Sequence, residues 1–237
     1  MTERHIIALG GGGFSMEPRN RRLDDFILRL TGTKRPRVCF IATASGDSSD
    51  YIARFHRAFK PRRASPSHLA LFNREVRDIG AFLCSQDVIY VGGGNSANML
   101  AVWRLHGVDI ALRDAWKAGV VLAGISAGAI CWFEDGLTDS FGRPPRALDD
   151  GLGFLAGACC PHYDGEKDRR PALLRLMRRG FPSTLALDDG AAAHFVGRTL
   201  KEIVTSRPTA RAFAVTKEKG RVVERPLTTR YLEKSNW

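Results

Sequence analysis

The pentapeptide Gly-Ile-Ser-Ala-Gly at 124–128 has the residue types of a turn that presents a catalytic serine. An apolar run at 120–123 precedes it and predicts a buried strand, and a second run at 129–133 predicts the start of a helix. A sharp turn from strand to helix exposes the serine hydroxyl and directs backbone N–H groups toward it, provided that its neighbours are small. We therefore interpret Ser126 as a candidate nucleophile; a plain glycine-rich turn is the alternative.

A serine nucleophile needs a base, and the base needs a group that orients it. Two of the six histidines lie where a base could be presented: His162 follows an apolar stretch, and His194 lies in a short β run. The chain order of α/β-hydrolases would pair Ser126 with His194 and with Asp164 or Asp189. The order serine, histidine, acid would instead combine His162 with Asp189. The residues alone leave both assignments open, although the short β runs after the serine are not typical of α/β-hydrolases.

The pattern of the first half of the chain predicts an α/β fold. Strand-like apolar runs at 5–9, 38–43, 68–72, 87–91 and 120–123 alternate with helical spacing at 23–30, 51–59, 76–83, 97–105 and 109–117. This alternation predicts a mostly parallel sheet with helices on both faces. Glycine-rich loops at 10–13 and 92–94 follow predicted strands, as Ser126 does, at the sheet edge where such folds bind ligands.

The second half of the chain is less regular. We expect a loop at 135–150 with a short strand near 136–140, and a strand at 184–187. Short β runs from position 194 onward predict a small antiparallel extension in the C-terminal part. Because there is no linker and no repeat, we expect one domain over 1–237.

The composition limits the classes of partner and cofactor. A hydrophobic fraction of 44% and a charged fraction of 26% are typical of soluble globular proteins, and no apolar run reaches the roughly 18 residues of a membrane span. With no signal-peptide pattern at the start, we expect a cytoplasmic protein without membrane contact. The five cysteines form no C-x-x-C pair, so we predict neither a metal site nor a disulfide framework.

The distribution of charge predicts no binding of nucleic acid, and the first glycine-rich loop predicts no binding of a nucleotide. The net charge is +11, but the arginines are scattered in twos and threes without a long basic run. The loop at 10–13 lacks the third glycine of a dinucleotide fingerprint, since Ser15 stands there, and no phosphate-binding lysine follows it. We therefore expect no cofactor.

Four motifs taken together resemble the peptidase E family of serine peptidases, which also contains the cyanophycinases. The motifs are Gly-Ile-Ser-Ala-Gly-Ala at 124–129, Gly-Gly-Gly-Asn at 92–95, Pro-His at 161–162 and Asp-Asp-Gly at 188–190. The resemblance covers nearly the whole chain. It implies an α/β fold similar to that of the class I glutamine amidotransferases.

The resemblance also implies roles for individual residues. Ser126 matches the nucleophile, His162 the general base and Asp189 the third triad position, where better-known members carry glutamate. Asp188 is the alternative at that position, but adjacent residues of a strand end point in opposite directions. The resemblance implies an oxyanion hole formed by the N–H groups of Ala127 and Gly94.

The family's best-known activity is cleavage of dipeptides with an N-terminal aspartate, which requires a cation to bind the substrate carboxylate. Arg169 and Arg170 are the candidates, and Asn95 is expected beside them at the substrate, where it also holds its loop. Solvated arginines at a helix start are the alternative interpretation.

We therefore expect a serine peptidase that hydrolyses short peptides through an acyl-enzyme, with a homodimer left open as its assembly. Two other functions stay open from the sequence. One is an esterase-like hydrolase that uses Ser126 and His194, and the other is a binding or regulatory module without catalysis.

Overall fold

The structure, a computed structural model, describes residues 3–234 and contains fourteen strands and eight α-helices within that range. The strands are β1 (His5–Leu9), β2 (Arg37–Ile41), β3 (Ser65–Leu69), β4 (Val88–Val91), β5 (Val121–Ile125), β6 (Phe133–Thr138), β7 (Arg146–Leu148), β8 (Leu155–Cys160), β9 (Thr184–Leu187), β10 (Ala191–Val196), β11 (Thr199–Thr205), β12 (Ala212–Glu218), β13 (Arg221–Pro226) and β14 (Thr229–Tyr231). The helices are α1 (Gly13–Met16), α2 (Arg22–Arg29), α3 (Ser49–Ala58), α4 (Ile79–Cys84), α5 (Ser96–His106), α6 (Val108–Lys117), α7 (Ala127–Ile130) and α8 (Arg169–Arg178).

The main sheet has eight strands in the order β14-β11-β10-β1-β5-β4-β2-β3. The five strands from β1 to β3 in this order are parallel, as the alternation of strands and helices predicts. Strand β10 runs antiparallel to β1, and β11 runs antiparallel to β10. The predicted fold class, a mostly parallel sheet flanked by helices, is confirmed.

A second sheet of six strands, in the order β13-β12-β9-β8-β6-β7, accounts for most of the C-terminal half. Its β6–β8 and β8–β9 pairs are parallel and the other pairs are antiparallel. The β-rich extension is therefore made of this mixed sheet and of the three strands that extend the main sheet. One continuous hydrophobic cluster contains Ile6 of β1, Leu155 of β8 and Ala212 of β12, so the two sheets share a core.

The parallel strands are buried on both faces, which explains their continuous apolar runs. In β1, Ile6 and Ala8 point into the cluster that includes the second sheet, whereas Ile7 and Leu9 point into the cluster around α2 and α3. This alternation is the period of two that a strand imposes. No helix within residues 3–234 combines the length and the apolar character that crossing a membrane requires.

The region after the serine differs from the prediction. The helix that was expected to start over 129–133 is a single turn that ends at Ile130, and Phe133 begins β6 instead. The short strand expected near 136–140 overlaps the end of β6, but that strand begins earlier, at Phe133, and the expected loop at 135–150 also contains all of β7. The reason is tertiary, because β6 pairs with β8, more than a dozen positions further along the chain.

Two element boundaries in the first half also differ. The third strand is Ser65–Leu69 rather than 68–72, since it pairs with β2 from Arg37 onward. Helix α4 begins at Ile79 rather than at position 76. Its start is set by Asp78, whose carboxylate accepts a hydrogen bond from the N–H of Ala81 at 2.9 Å.

Candidate active site

Ser126 lies at the turn between β5 and α7 in a strained backbone conformation, with φ 56° and ψ −112°. Positive φ is uncommon for a residue that carries a side chain and marks positions where the surrounding structure enforces it. Close backbone contacts on both sides of the serine hold it in this conformation. A Cβ atom on Gly124 would overlap the carbonyl of Gly128, and one on Gly128 would overlap the carbonyl of Val91. The glycines on both sides of the serine are therefore required by packing, as the sequence indicated.

His162 and Asp189 form a short hydrogen bond. Nδ1 of His162 lies 2.6 Å from Oδ1 of Asp189, and both side chains are largely buried. Because the carboxylate accepts, Nδ1 carries the proton and Nε2 is left as the basic nitrogen of the neutral ring. His162 also has positive φ, 55°, so its loop holds the ring in one orientation. This is the arrangement of a base and its orienting group.

The two aspartates at 188 and 189 point to different partners. The carboxylate of Asp188 accepts a hydrogen bond from the N–H of Arg211 at 2.9 Å, whereas that of Asp189 reaches His162. Burial, together with the nearby charge of Asp164, raises the pKa of Asp188 to about 6. Asp164 also accepts a hydrogen bond from the N–H of Asp189 at 2.8 Å. Of the two, Asp189 is the one that lies beside the imidazole.

The first glycine-rich loop joins the three segments of the site. The successive carbonyls of residues 9–11 accept hydrogen bonds from the N–H groups of Ser126, His162 and Gly190, each at 3.1 Å. The serine turn, the histidine loop and the aspartate loop are therefore anchored side by side at the carboxyl end of β1. The loop, for which the sequence predicted no nucleotide, has a structural role here, since it holds these backbone segments together.

Two glycines flank the carboxylate of Asp189. A Cβ atom on Gly11 would overlap Oδ1, and a Cβ atom on Gly165 would overlap Oδ2. The carboxylate thus lies between two backbone segments that come close only because both residues lack a side chain. This packing fixes the position from which Asp189 contacts His162.

The N–H groups of Gly94 and Ala127 make no hydrogen bond with any other residue within 3–234. Gly94 has φ 139°, and a Cβ atom there would overlap the carbonyl of Ala44. The N–H of the preceding residue, Gly93, is already used, since it donates to the hydroxyl of Tyr51 at 3.3 Å. Two unpaired N–H groups beside a serine are what an oxyanion hole requires.

Asn95 holds the loop that carries Gly94. Its Oδ1 accepts from the N–H of Asn98 at 2.9 Å and so caps α5, and its Nδ2 donates to the carbonyl of Ser140 at 3.0 Å. Its backbone N–H donates to the carbonyl of Ala44 at 2.7 Å. The side chain is thus occupied by backbone partners, which makes Asn95 a positioning residue although it was expected at the substrate.

A polar cavity of about 330 Å³ opens beside the serine. Its lining contains three charged and four uncharged residues: Asp139, Glu166, Arg169, Gly94, Asn95, Ser126 and Ser140. The cavity lies at the carboxyl edge of the main sheet, where ligands bind in folds of this type.

Arg169 reaches this cavity, but its guanidinium is engaged within the protein. Nε donates to Glu166 at 2.8 Å, Nη1 donates to the carbonyl of Leu137 at 2.7 Å, and Nη2 lies 3.5 Å from Oδ1 of Asp139. The side chain is buried. Arg169 therefore has the predicted location, but its side chain is buried and each of its guanidinium nitrogens already lies near an oxygen of the protein.

Arg170 lies outside the cavity, in contrast to the prediction. Its exposed guanidinium makes two hydrogen bonds to Glu224 of β13, at 2.9 and 3.0 Å. Glu224 also accepts from the hydroxyl of Tyr163 at 2.5 Å. Neighbouring residues of a helix project about 100° apart, so the two arginines face different surfaces.

His194, the alternative base, is packed between the main sheet and α2. Its Nε2 lies 3.0 Å from Nδ1 of His5, and its Nδ1 lies 3.5 Å from Oε1 of Glu202. The ring packs edge-on against Phe26, with centroids 5.4 Å apart. Burial is the main cause that lowers the pKa of His194. Both ring nitrogens have partners that lie outside the cavity.

Three residues that line the cavity carried no signal in the sequence: Asp139, Ser140 and Glu166. They lie in irregular segments that meet only when β6 and the histidine loop are brought beside the serine. Asp164 is one of the two acids that the α/β-hydrolase order would pair with Ser126, but its carboxylate accepts a hydrogen bond from the N–H of Asp189.

Comparisons with known proteins place the chain among peptidases. The model of peptidase family S51 matches residues 6–203. YgaJ of Bacillus subtilis (strain 168), named an uncharacterised peptidase, is 53% identical over 230 residues, which cover 97% of this chain and 99% of that protein.

Two solved structures share the fold. The crystal structure of a peptidase from an acI-B1 Actinobacterium has a TM-score of 0.68 and 18% identity, covering 96% of this chain and 95% of that one. A candidate peptidase E protein from Listeria monocytogenes EGD-e has a TM-score of 0.61 and 18% identity, covering 88% of this chain and 100% of that one. The family match over most of the chain and the identity with YgaJ show that the chain belongs to peptidase family S51.

Proposed function

We propose that this peptidase cleaves short peptides with Ser126 as its nucleophile. The observation that carries the proposal is the strained serine at 126, anchored on the same backbone segment as the hydrogen-bonded pair of His162 and Asp189. A serine held at a strand-to-helix turn, a base and an orienting carboxylate are the parts of a nucleophilic triad.

In the proposed reaction the hydroxyl of Ser126 attacks the peptide carbonyl while His162 takes the proton. The developing oxyanion accepts hydrogen bonds from the N–H groups of Gly94 and Ala127. His162 then gives the proton to the leaving amine, and water hydrolyses the acyl-enzyme with the same histidine as base. Asp189 keeps the imidazole in the required tautomer. One oxyanion donor is typically worth about 10²- to 10³-fold in rate.

The size and polarity of the cavity favour short peptides as substrates. A volume of about 330 Å³ is near the lower end of ligand pockets. Specificity for an N-terminal aspartate stays a prediction, and the internal partners of Arg169 do not support it. No cofactor takes part in the proposed reaction.

We also propose a reducing, cytoplasmic location, because all five cysteines are free thiols. A homodimer stays a prediction that sedimentation can check.

A fluorophosphonate probe that reacts with activated serines tests the proposal. We expect labelling at Ser126 in the folded wild type and none in Ser126→Ala. His162→Ala should lose labelling, whereas His194→Ala, the matched histidine variant, should keep it. Loss in His194→Ala with retention in His162→Ala would support the esterase-like alternative. Folded wild-type protein without labelling would support a non-catalytic module.

A further inference from the structure

Among residues 3–234, Arg169 is the one cation in the lining of the cavity beside Ser126, and its charge is balanced inside the protein. Its side chain is 3% exposed, and each guanidinium nitrogen has an oxygen nearby: Glu166, the carbonyl of Leu137 and Asp139. A buried arginine that lost these partners to a substrate carboxylate would leave Asp139 and Glu166 without compensation. The arginine is therefore poorly placed to receive an acidic substrate group.

The two carboxylates of the same cluster are the accessible groups. The side chains of Asp139 and Glu166 are 40% and 29% exposed, and both line the cavity. Two carboxylates against one guanidinium give the lining a net negative charge. A cavity with excess charge of one sign attracts groups of the opposite sign and repels like charges.

Arg169 also explains how these carboxylates are held. Its contact with the carbonyl of Leu137 ties the first turn of α8 to β6, and Asp139 follows the end of that strand. Glu166 lies three residues before the arginine and is bound through Nε. One side chain thus joins the two segments that form this wall of the cavity.

We propose that Arg169 is a positioning residue, and that Asp139 and Glu166 bind a positively charged group of the substrate residue whose carbonyl Ser126 attacks. The group is either the α-ammonium of an N-terminal residue or a basic side chain, which have the same charge. An aspartyl residue is disfavoured there. This inference rests on the proposed function, since it takes the cavity beside Ser126 as the substrate site.

Binding to the Ser126→Ala protein, measured by calorimetry, tests the inference without turnover. Two pairs of dipeptides differ in side-chain charge but little in size: lysyl-leucine with methionyl-leucine, and aspartyl-leucine with asparaginyl-leucine. A third pair, methionyl-leucine with its N-acetyl form, tests the α-ammonium. If the bound group is a basic side chain, lysyl-leucine should bind at least fivefold more tightly than methionyl-leucine. If it is the α-ammonium, methionyl-leucine should bind at least fivefold more tightly than its N-acetyl form. Aspartyl-leucine should bind more weakly than asparaginyl-leucine.

Isosteric variants locate the preference in the same Ser126→Ala background. Asp139→Asn and Glu166→Gln should each reduce the binding ratio of the discriminating pair at least threefold. Asp168→Asn, which removes an exposed carboxylate of the same segment outside the cavity lining, should leave the ratio unchanged. A merely structural role would change affinity for all peptides together and leave the ratio as it was.

The inference is overturned if the more positively charged peptide is not preferred in either the first or the third pair. It is also overturned if aspartyl-leucine binds more tightly than asparaginyl-leucine, or if both isosteric variants keep the wild-type ratio. The proposed function fails separately, if the wild type hydrolyses none of these peptides or if the fluorophosphonate probe does not label Ser126.

Discussion

Replacing Gly11 with alanine should separate Asp189 from His162 while the protein stays folded. The new Cβ atom would overlap Oδ1 of Asp189 and lie 2.8 Å from its Cγ. Retreat is blocked on the other side, where Gly165 lies against Oδ2. The carboxylate can yield by rotating or by moving with its loop, and either movement breaks its 2.6 Å hydrogen bond with the imidazole.

The size of the effect follows from what the carboxylate does in a triad. Loss of the orienting carboxylate in a Ser-His-Asp triad costs about 10⁴-fold in rate, or about 5.5 kcal/mol of barrier. A displaced carboxylate still supplies part of its field, so we expect the reactivity of Ser126 to fall by about 10²- to 10⁴-fold. Gly11 does not have positive φ, so alanine is compatible with its backbone conformation.

The assay is the second-order rate constant for fluorophosphonate labelling of Ser126, measured together with thermal unfolding. Gly80→Ala is the matched control, since its Cβ would meet only Oδ1 of Asp78 at 3.6 Å, an ordinary contact. Should Gly11→Ala not fold, Asp189→Asn removes the negative charge that orients the imidazole, without added volume. A folded Gly11→Ala protein that is labelled at the wild-type rate would refute the reasoning, as would an unchanged rate in Asp189→Asn.

Three further predictions concern the surroundings of the site. Asn95→Ala removes the cap of α5 and the link to the next loop, so the unfolding temperature should fall by an amount equivalent to about 1 kcal/mol. It should also slow labelling, because the N–H of Gly94 loses its support; an unchanged rate contradicts this. Gly128→Ala forces a Cβ atom into the carbonyl of Val91, so denaturant unfolding should show a loss of about 1 to 3 kcal/mol or more, and no loss would contradict the packing argument. Burial raises the pKa of Asp24 from 3.8 to about 7, so the folded state binds more protons there than the unfolded state, and the contribution of Asp24 to stability declines as the pH rises from about 4 to 7. Asp24→Asn should remove up to about 4 kcal/mol of that decline, as measured by urea unfolding at several pH values, and an undiminished decline would contradict it.

Local patterns in the sequence were sufficient for the serine turn and for the parallel half of the main sheet. Part of the turn depends on a neighbour four residues away, since a Cβ atom on Gly124 would overlap the carbonyl of Gly128; Gly128 itself packs against Val91 of β4. The parallel strands are buried on both faces and therefore carry continuous apolar runs that a linear pattern reveals. The motif resemblance drew attention to His162 and Asp189, which the structure places 2.6 Å apart.

Contacts between distant parts of the chain decided the rest. The start of β6 at Phe133 and the whole of β7 were not predicted, because β6 is stabilised by pairing with β8 and β7 by pairing with β6, which no local pattern encodes. Arg169 and Arg170 are equivalent in the sequence, yet one is buried beside the cavity and the other binds Glu224 on the surface. Which charge faces a substrate depends on side-chain direction and on partners far along the chain. The sequence by itself therefore determined the candidate nucleophile and the fold class, whereas the tertiary structure alone decided the charge of the cavity beside it.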